Sequence, residues 1–141
     1  ASTKMLNIEL KVSTPFLQEK MNLEPYQYVY ELTRLRLSNG KPLIYEVSYL
    51  PLRFCEGLER FDFNNVSLYE TLNQHYNIQI TNAYENLVAS KLNKKYAALL
   101  NGEVDDSCMY IERFSYYGDV LIEYTQSIAS GHKYKYKVKL M

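Results

Sequence analysis

The segment from Tyr26 to Leu50 constrains this chain most. Two runs that read as strands, Tyr26–Leu37 and Pro42–Leu50, flank the dipeptide Asn39-Gly40. Both residues of that dipeptide tolerate left-handed backbone, which makes it a strong short-range signal for a β-hairpin. Pro51 follows the second run and ends it, because proline has no N–H for a ladder. The middle of the chain is therefore expected to be an antiparallel hairpin, and the remaining elements must extend it or pack on it.

Side chains alternate faces along a strand. Arg34 and Arg36 thus share a face with Tyr28, Tyr30 and Leu32, while Val29, Glu31, Thr33, Leu35 and Leu37 take the other. The face of Glu46 depends on the turn. A two-residue Asn39-Gly40 loop pairs Arg34 with Tyr45 and mixes the arginines among Leu43, Tyr45 and Val47. A three-residue loop, Ser38-Asn39-Gly40 with Gly40 left-handed in a bulge, shifts the register by one. It gathers Leu35, Leu37, Leu43, Tyr45, Val47 and Tyr49 on one face, and Arg34, Arg36, Ile44, Glu46 and Ser48 on the other. The second arrangement segregates the residues better and is the expected one. Two uses fit the resulting polar face. One is an exposed salt-bridged surface, worth ~0.2–1 kcal/mol per pair. The other is a pocket whose fork-shaped donors meet a phosphate or carboxylate.

Around the hairpin, Met5–Val12 reads as a strand and Pro15–Met21 as a short helix, with Thr14 as cap and Pro15 at its first position. Gly57–Asn65 is turn-rich. Val66–Tyr76 reads as a helix in which Ser67 is the N-cap and Glu70 completes a capping box, with Leu68, Leu72 and Tyr76 at helical spacing. Ile80–Lys91 reads as extended. Asn93 caps a helix, Lys94–Leu100, that Asn101-Gly102 stops. Met109–Tyr117, Val120–Ala129 and Lys133–Leu140 read as three more strands turning at Gly118 and Gly131. In the last, Lys133, Lys135, Lys137 and Lys139 alternate with Tyr134, Tyr136, Val138 and Leu140. A solvated face that discourages edge pairing explains this better than a nucleic-acid stripe. Strands linked mostly by hairpins, with two or three helices interspersed, imply an α+β fold on an antiparallel sheet. The 141 residues point to one domain, 1–141.

Composition excludes several functions. Lys+Arg and Asp+Glu both number 16, so the chain lacks the basic excess of a domain that holds nucleic acid by itself. No apolar run reaches the roughly 18 residues of a membrane span. Cys55 and Cys108 form no C-x-x-C, and with two histidines they make no zinc spacing, so reduced thiols in a cytoplasmic protein are expected. No metal, cofactor or catalytic residue is assigned. The 15 tyrosines suit a half-wet sheet or pocket, where the ring packs and the hydroxyl finds a partner.

Taken in order, these residues resemble a known signature. Arg34-x-Arg36, Asn39-Gly40-x-Pro42, Glu46 and Tyr49-Leu50-Pro51 resemble the core of UTRA, the effector-binding domain of GntR-type regulators of the HutC subfamily. Ser67-Leu68-Tyr69 is similar to the family's S-L-Y helix start. Tyr76-Asn77-Ile78 is similar to its tyrosine–glycine–isoleucine step, with asparagine for glycine. Ala83-Tyr84-Glu85 with Ala89, and Ile122-Glu123-Tyr124, resemble two later strands. The resemblance spans about residues 4 to 140.

The resemblance implies a chorismate-lyase-like fold, a homodimer and a small-molecule effector, a sugar phosphate or other small anion. It also implies a winged-helix domain preceding this one, through which alone operator DNA is met. The Ala-Ser start without initiator Met fits the expectation that the chain is part of a longer protein. By matching position, the resemblance assigns Arg34, Arg36, Ser67 and Tyr69 to polar contacts with a sugar phosphate, and Glu46 and Glu123 to the sugar. Ser67 would also place a helix N-terminus, which favours anions, at the site. Glu123 alternates with Leu121, Thr125 and Ser127, a face expected not to be core. The family's Tyr-Arg-Gly-Asp-x-Tyr is replaced by Ala129-Ser130-Gly131-His132-Lys133-Tyr134, which removes a tyrosine from the Ala129 position and permits a larger or differently shaped effector. Two other uses of the fold are a dimerisation module without ligand and an enzyme of the chorismate-lyase type.

Overall fold

A computed structural model describes residues 1–141. Its strands are β1 (Ser2–Val12), β2 (Tyr28–Ser38), β3 (Lys41–Pro51), β4 (Asn82–Lys91), β5 (Ser107–Tyr117) and β6 (Val120–Ser130). They form one six-stranded sheet in the order β1-β2-β3-β6-β5-β4, and every neighbouring pair is antiparallel. Three helices flank it: α1 (Pro15–Met21), α2 (Leu68–Tyr76) and α3 (Lys94–Leu99). Two single 3-10 turns, Leu52–Phe54 and Leu58–Arg60, lie in the segment read as turn-rich and just before it. The fold is α+β with an antiparallel sheet, as the sequence implied.

The central hairpin segregates its residues as expected, but by a different device. Asn39 (φ 52°) and Gly40 (φ 76°) are both left-handed, and Ser38 pairs with Lys41. This is the two-residue turn with positive φ at both positions, whose twist matches that of the strands. A bulge between Ile44 and Pro42 then absorbs Leu43, so that Arg34 stands opposite Glu46. The extra residue sits in the strand rather than in the loop.

A second bulge overturns the face assigned around Glu123. Ser115 pairs with Glu123 and Tyr116 with Leu121, leaving Ile122 bulged. Leu121 joins the cluster of Val29 and Tyr124, whereas Ile122 packs with Leu32 and Leu50 on the opposite face. Glu123, Thr125 and Ser127 are buried, so this face is interior after all.

Both faces of the sheet are covered. On one, Leu32, Leu50 and Ile122 pack against Leu68 and Leu72 of α2 and against Cys55, Leu58 and Phe63 of the preceding loop. On the other, Leu17 and Met21 of α1 meet Val29 and Tyr124, and Ala97 of α3 meets Leu35, Leu92 and Cys108. Each fully buried leucine contributes about 1.5–3 kcal/mol. The caps behave as read. Thr14 Oγ1 accepts from Leu17 N–H, 3.3 Å; Ser67 Oγ accepts from Glu70 N–H, 3.3 Å; Asn93 Oδ1 accepts from Tyr96 N–H, 2.9 Å. Only the serine half of the capping box forms. Asn77 ends α2 at φ 56°, a left-handed position that asparagine tolerates, so it can stand where the family pattern has glycine.

The strand expected over Lys133–Leu140 is absent. Beyond Ser130 the chain makes a turn and then runs without ladder hydrogen bonds. β6 is already paired on both sides, to β3 and β5, so a short turn at Gly131 has no free neighbour to return to. The nearer open edge, β4, lies two strand spacings away, about 10 Å. Side chains anchor the tail instead. Lys133 Nζ donates to Leu100 O at 3.2 Å and Tyr136 OH to Glu85 Oε1 at 3.2 Å.

Candidate functional site

Where α2 begins over the sheet, a cavity of about 390 Å3 opens. Arg34 and Arg36 reach it from β2, Glu46 from β3, Glu123 from β6, and Ser67 and Tyr69 from the start of α2. All six residues singled out in the sequence line this one space. The antiparallel register makes this possible, because Arg34 faces Glu46 across β2–β3 and Glu46 faces Ser127 across β3–β6.

The guanidinium of Arg34 is fixed. Its Nη2 donates to Glu46 Oε2 at 3.1 Å and to Ser48 Oγ at 3.0 Å, and Ser48 Oγ lies 3.0 Å from Thr125 Oγ1. Arg36 Nη1 stands 3.8 Å from the same Glu46 oxygen. Arg34 is 8% exposed and Glu46 5%, so the pair is interior and not the exposed surface that the strand pattern also allowed. The Nε atoms of both arginines are buried without a hydrogen-bond partner. A buried donor left unpaired costs about 1–3 kcal/mol, more for a charged group.

The opposite wall is built around Glu123, which is 1% exposed. Tyr69 OH donates to its Oε1 at 2.6 Å and lies 3.1 Å from Ser115 Oγ. Burial of the phenol, reinforced by the charge of Glu123, pushes the Tyr69 pKa up to about 12. At neutral pH the phenol is therefore a hydrogen-bond donor, not an anion. Glu46 Oε1 and Glu123 Oε2 make no hydrogen bond within the chain. The site thus offers donors at its β2 side and two acceptor oxygens, a set suited to an anion bearing hydroxyl groups.

Sequence reasoning missed other parts of the lining, among them the start of β1, Ser2 and Thr3. Arg113 of β5 lies in the cavity wall; in sequence it follows Glu112 within a strand and carries no signal. Asn64 and Asn65, from the turn-rich segment, form another part. Asn64 Oδ1 accepts from Met5 N–H at 2.8 Å and ties that loop to β1. Hydrogen bonds from the Asn65 side chain, then from Asn64, hold the Asp62 carboxyl below its ordinary value. His132, three residues from the Ala129 position, does not line the cavity: its side chain is 68% exposed, 3.6 Å from Asp106.

A cavity between a sheet and a helix N-terminus, lined by convergent charged groups, suits a small polar ligand, and comparison with known proteins gives the particular kind. The UTRA domain family model matches residues 1–135, and the chain belongs to that family, the effector-binding domain of GntR-type, HutC-subfamily regulators. Among curated proteins, the uncharacterized HTH-type transcriptional regulator YurK of Bacillus subtilis is 25% identical over 100 residues, 71% of this chain and 41% of that protein. The HTH-type transcriptional repressor NagR of the same organism is 23% identical over 135 residues, 95% of this chain and 55% of that protein. The chain therefore spans about half the length of the curated relatives it matches. Among solved structures, PhnF from Mycobacterium smegmatis superposes with a TM-score of 0.90 at 20% identity, covering 99% of this chain and 62% of that one. The C-terminal domain of the histidine utilization repressor from Pseudomonas syringae gives 0.88 at 15% identity, covering 99% and 98%. No helix is long and apolar enough to cross a membrane.

Proposed function

We propose that this domain senses a small anionic metabolite, a sugar phosphate, in the cavity between β2 and α2, and that its binding alters operator affinity through a DNA-binding domain elsewhere in the full-length regulator. The observation that carries the reading is the convergence of the Arg34 and Arg36 side chains and the N-terminus of α2 on one cavity. The first-turn amides of Leu68 and Tyr69 lack intrahelical acceptors and add to the positive end of the helix dipole. The phosphate would lie between Arg34, Arg36 and Ser67, where the first-turn amides of α2 are further donors. Glu46 Oε1 and Glu123 Oε2 would accept from sugar hydroxyls.

The regulator acts as a homodimer in this reading, and ligand binding favours one of two dimer states by the ~1–3 kcal/mol typical of allosteric coupling. Sedimentation of the domain with and without ligand tests the dimer; a monomer under both conditions contradicts it. A ligand-free dimerisation module has no need of an open charged cavity, and the convergence of Arg34, Arg36 and Arg113 on one such cavity favours binding instead. The matched curated proteins are described as transcriptional regulators, which favours sensing over chorismate-lyase chemistry.

Calorimetric titration of the domain with a panel of sugar phosphates tests the site. Binding by a phosphosugar, weakened at least about tenfold in Arg36→Gln by loss of a charge-assisted contact, is the expected result. Equal affinity in the variant contradicts the assignment.

A further inference from the structure

Resting on the anion-binding reading above, we propose that Arg113 is a second anion anchor, and that the effector carries two acidic groups, a phosphate at the Arg34–Arg36 end and a carboxylate at the Arg113 end. A phosphorylated sugar acid has this chemistry.

Arg113 shares the sheet face of Arg34. The ladder runs from Leu32 to Ser48, to Thr125, to Arg113, and Leu32 and Arg34 alternate onto one face of β2. Three strand spacings, about 14 Å, separate the β2 and β5 backbones. The cavity therefore has guanidiniums at both ends, with Glu46, Glu123 and Tyr69 between them.

The local bonding leaves the Arg113 fork unused. Its Nε donates to Glu85 Oε2 at 3.0 Å, and Glu85 Oε1 accepts from Tyr136 OH of the tail at 3.2 Å. Glu85 thus grips the guanidinium by its inner nitrogen and is itself held from behind. Neither terminal nitrogen of Arg113 has a hydrogen-bond acceptor in the chain. The other carboxylate on that wall, Glu123, is bonded by Tyr69 and not by Arg113. An oriented guanidinium with both Nη groups free is the donor pattern that a carboxylate matches with two parallel hydrogen bonds. A monophosphorylated neutral sugar would engage the β2 end and leave this fork empty.

Three probes separate the possibilities: 6-phosphogluconate with both acidic groups, glucose 6-phosphate with phosphate only, and gluconate with carboxylate only. Each is titrated calorimetrically into the wild-type domain, Arg113→Gln and Arg36→Gln. The wild type is expected to bind 6-phosphogluconate at least about tenfold tighter than glucose 6-phosphate, the scale of one charge-assisted contact. Arg113→Gln should erase that preference while leaving glucose 6-phosphate affinity unchanged; Arg36→Gln should weaken both. Equal wild-type affinity for the two phosphates overturns the second anchor and leaves the phosphate site standing. Equal weakening of both phosphates in Arg113→Gln assigns Arg113 a structural role and also overturns it. Binding of neither phosphate overturns both readings.

Discussion

Arg34 and Glu46 stabilise each other in a place where neither is tolerated alone. Both are buried, and their 3.1 Å contact is backed by Ser48. Arg34→Ala leaves buried Glu46 with only the longer 3.8 Å contact to Arg36 and should lower stability, by less than the ~3–5 kcal/mol of a fully unpaired interior charge. The double variant Arg34→Ala/Glu46→Ala should be less destabilised than the sum of the singles, as urea denaturation of all four proteins would measure. Additivity would mean that the two charges are not coupled. Titration gives a second handle. Burial raises Tyr69 from its usual 10.0 to about 12. A raised phenol contributes stability that is fully present below pH 10 and is lost as pH climbs through 12, because the unfolded chain releases its proton first. Tyr69→Phe should flatten the loss of stability between those values in an alkaline denaturation series; an unchanged slope would contradict the assigned environment. At this scale the sequence was informative where motif and strand parity agreed, which placed Arg34, Arg36 and Glu46 together. Arg113 was not legible, since Glu85, which orients it, lies 28 residues away in sequence and meets it across β4–β5.

Among the elements, helix caps and the central turn were readable because their signals are local. Thr14, Ser67 and Asn93 each accept the amide three residues on. Ser67→Ala should cost about 1 kcal/mol of stability and should also weaken phosphate binding, a combination that a pure cap would not give. Gly40 has open space where a side-chain methyl would lie, but its φ is 76°. Gly40→Ala should therefore cost about 1–2 kcal/mol through backbone strain alone, read as a lower melting temperature with ligand affinity unchanged. The two bulges were not legible. Each inserts a residue into one strand, at Leu43 and at Ile122, as a further shift does at Leu6 of β1, and strict alternation cannot register such a shift. The tail failed for a related reason. Its period-two pattern is that of a strand, but strand formation needs an open neighbour, and β6 has none.

For the whole molecule, the balance of 16 basic and 16 acidic residues agrees with a domain that meets DNA only through another part of the regulator. The isolated domain should not retard duplex DNA in a gel at about 0.15 M salt, where binding rests on counterion release by a basic surface; a retarded band would contradict that division of labour. Fold class was fully legible, because hairpin-linked strands with few helices allow little but an antiparallel sheet covered on its faces. The cavity was legible only through resemblance, since no local pattern says that α2 will settle over the arginine face. Whether that cavity senses a phosphate is decided by thermal denaturation of the wild type and Arg36→Gln, with and without sugar phosphates and their unphosphorylated parents. A ligand at ~100 times its dissociation constant should stabilise the wild type by about 2.7 kcal/mol. A phosphate-dependent rise in melting temperature that Arg36→Gln cuts by about half or more, as a tenfold loss of affinity requires, is the expected outcome. A rise of equal size in the variant, or with the unphosphorylated sugar, would contradict phosphate sensing at this site.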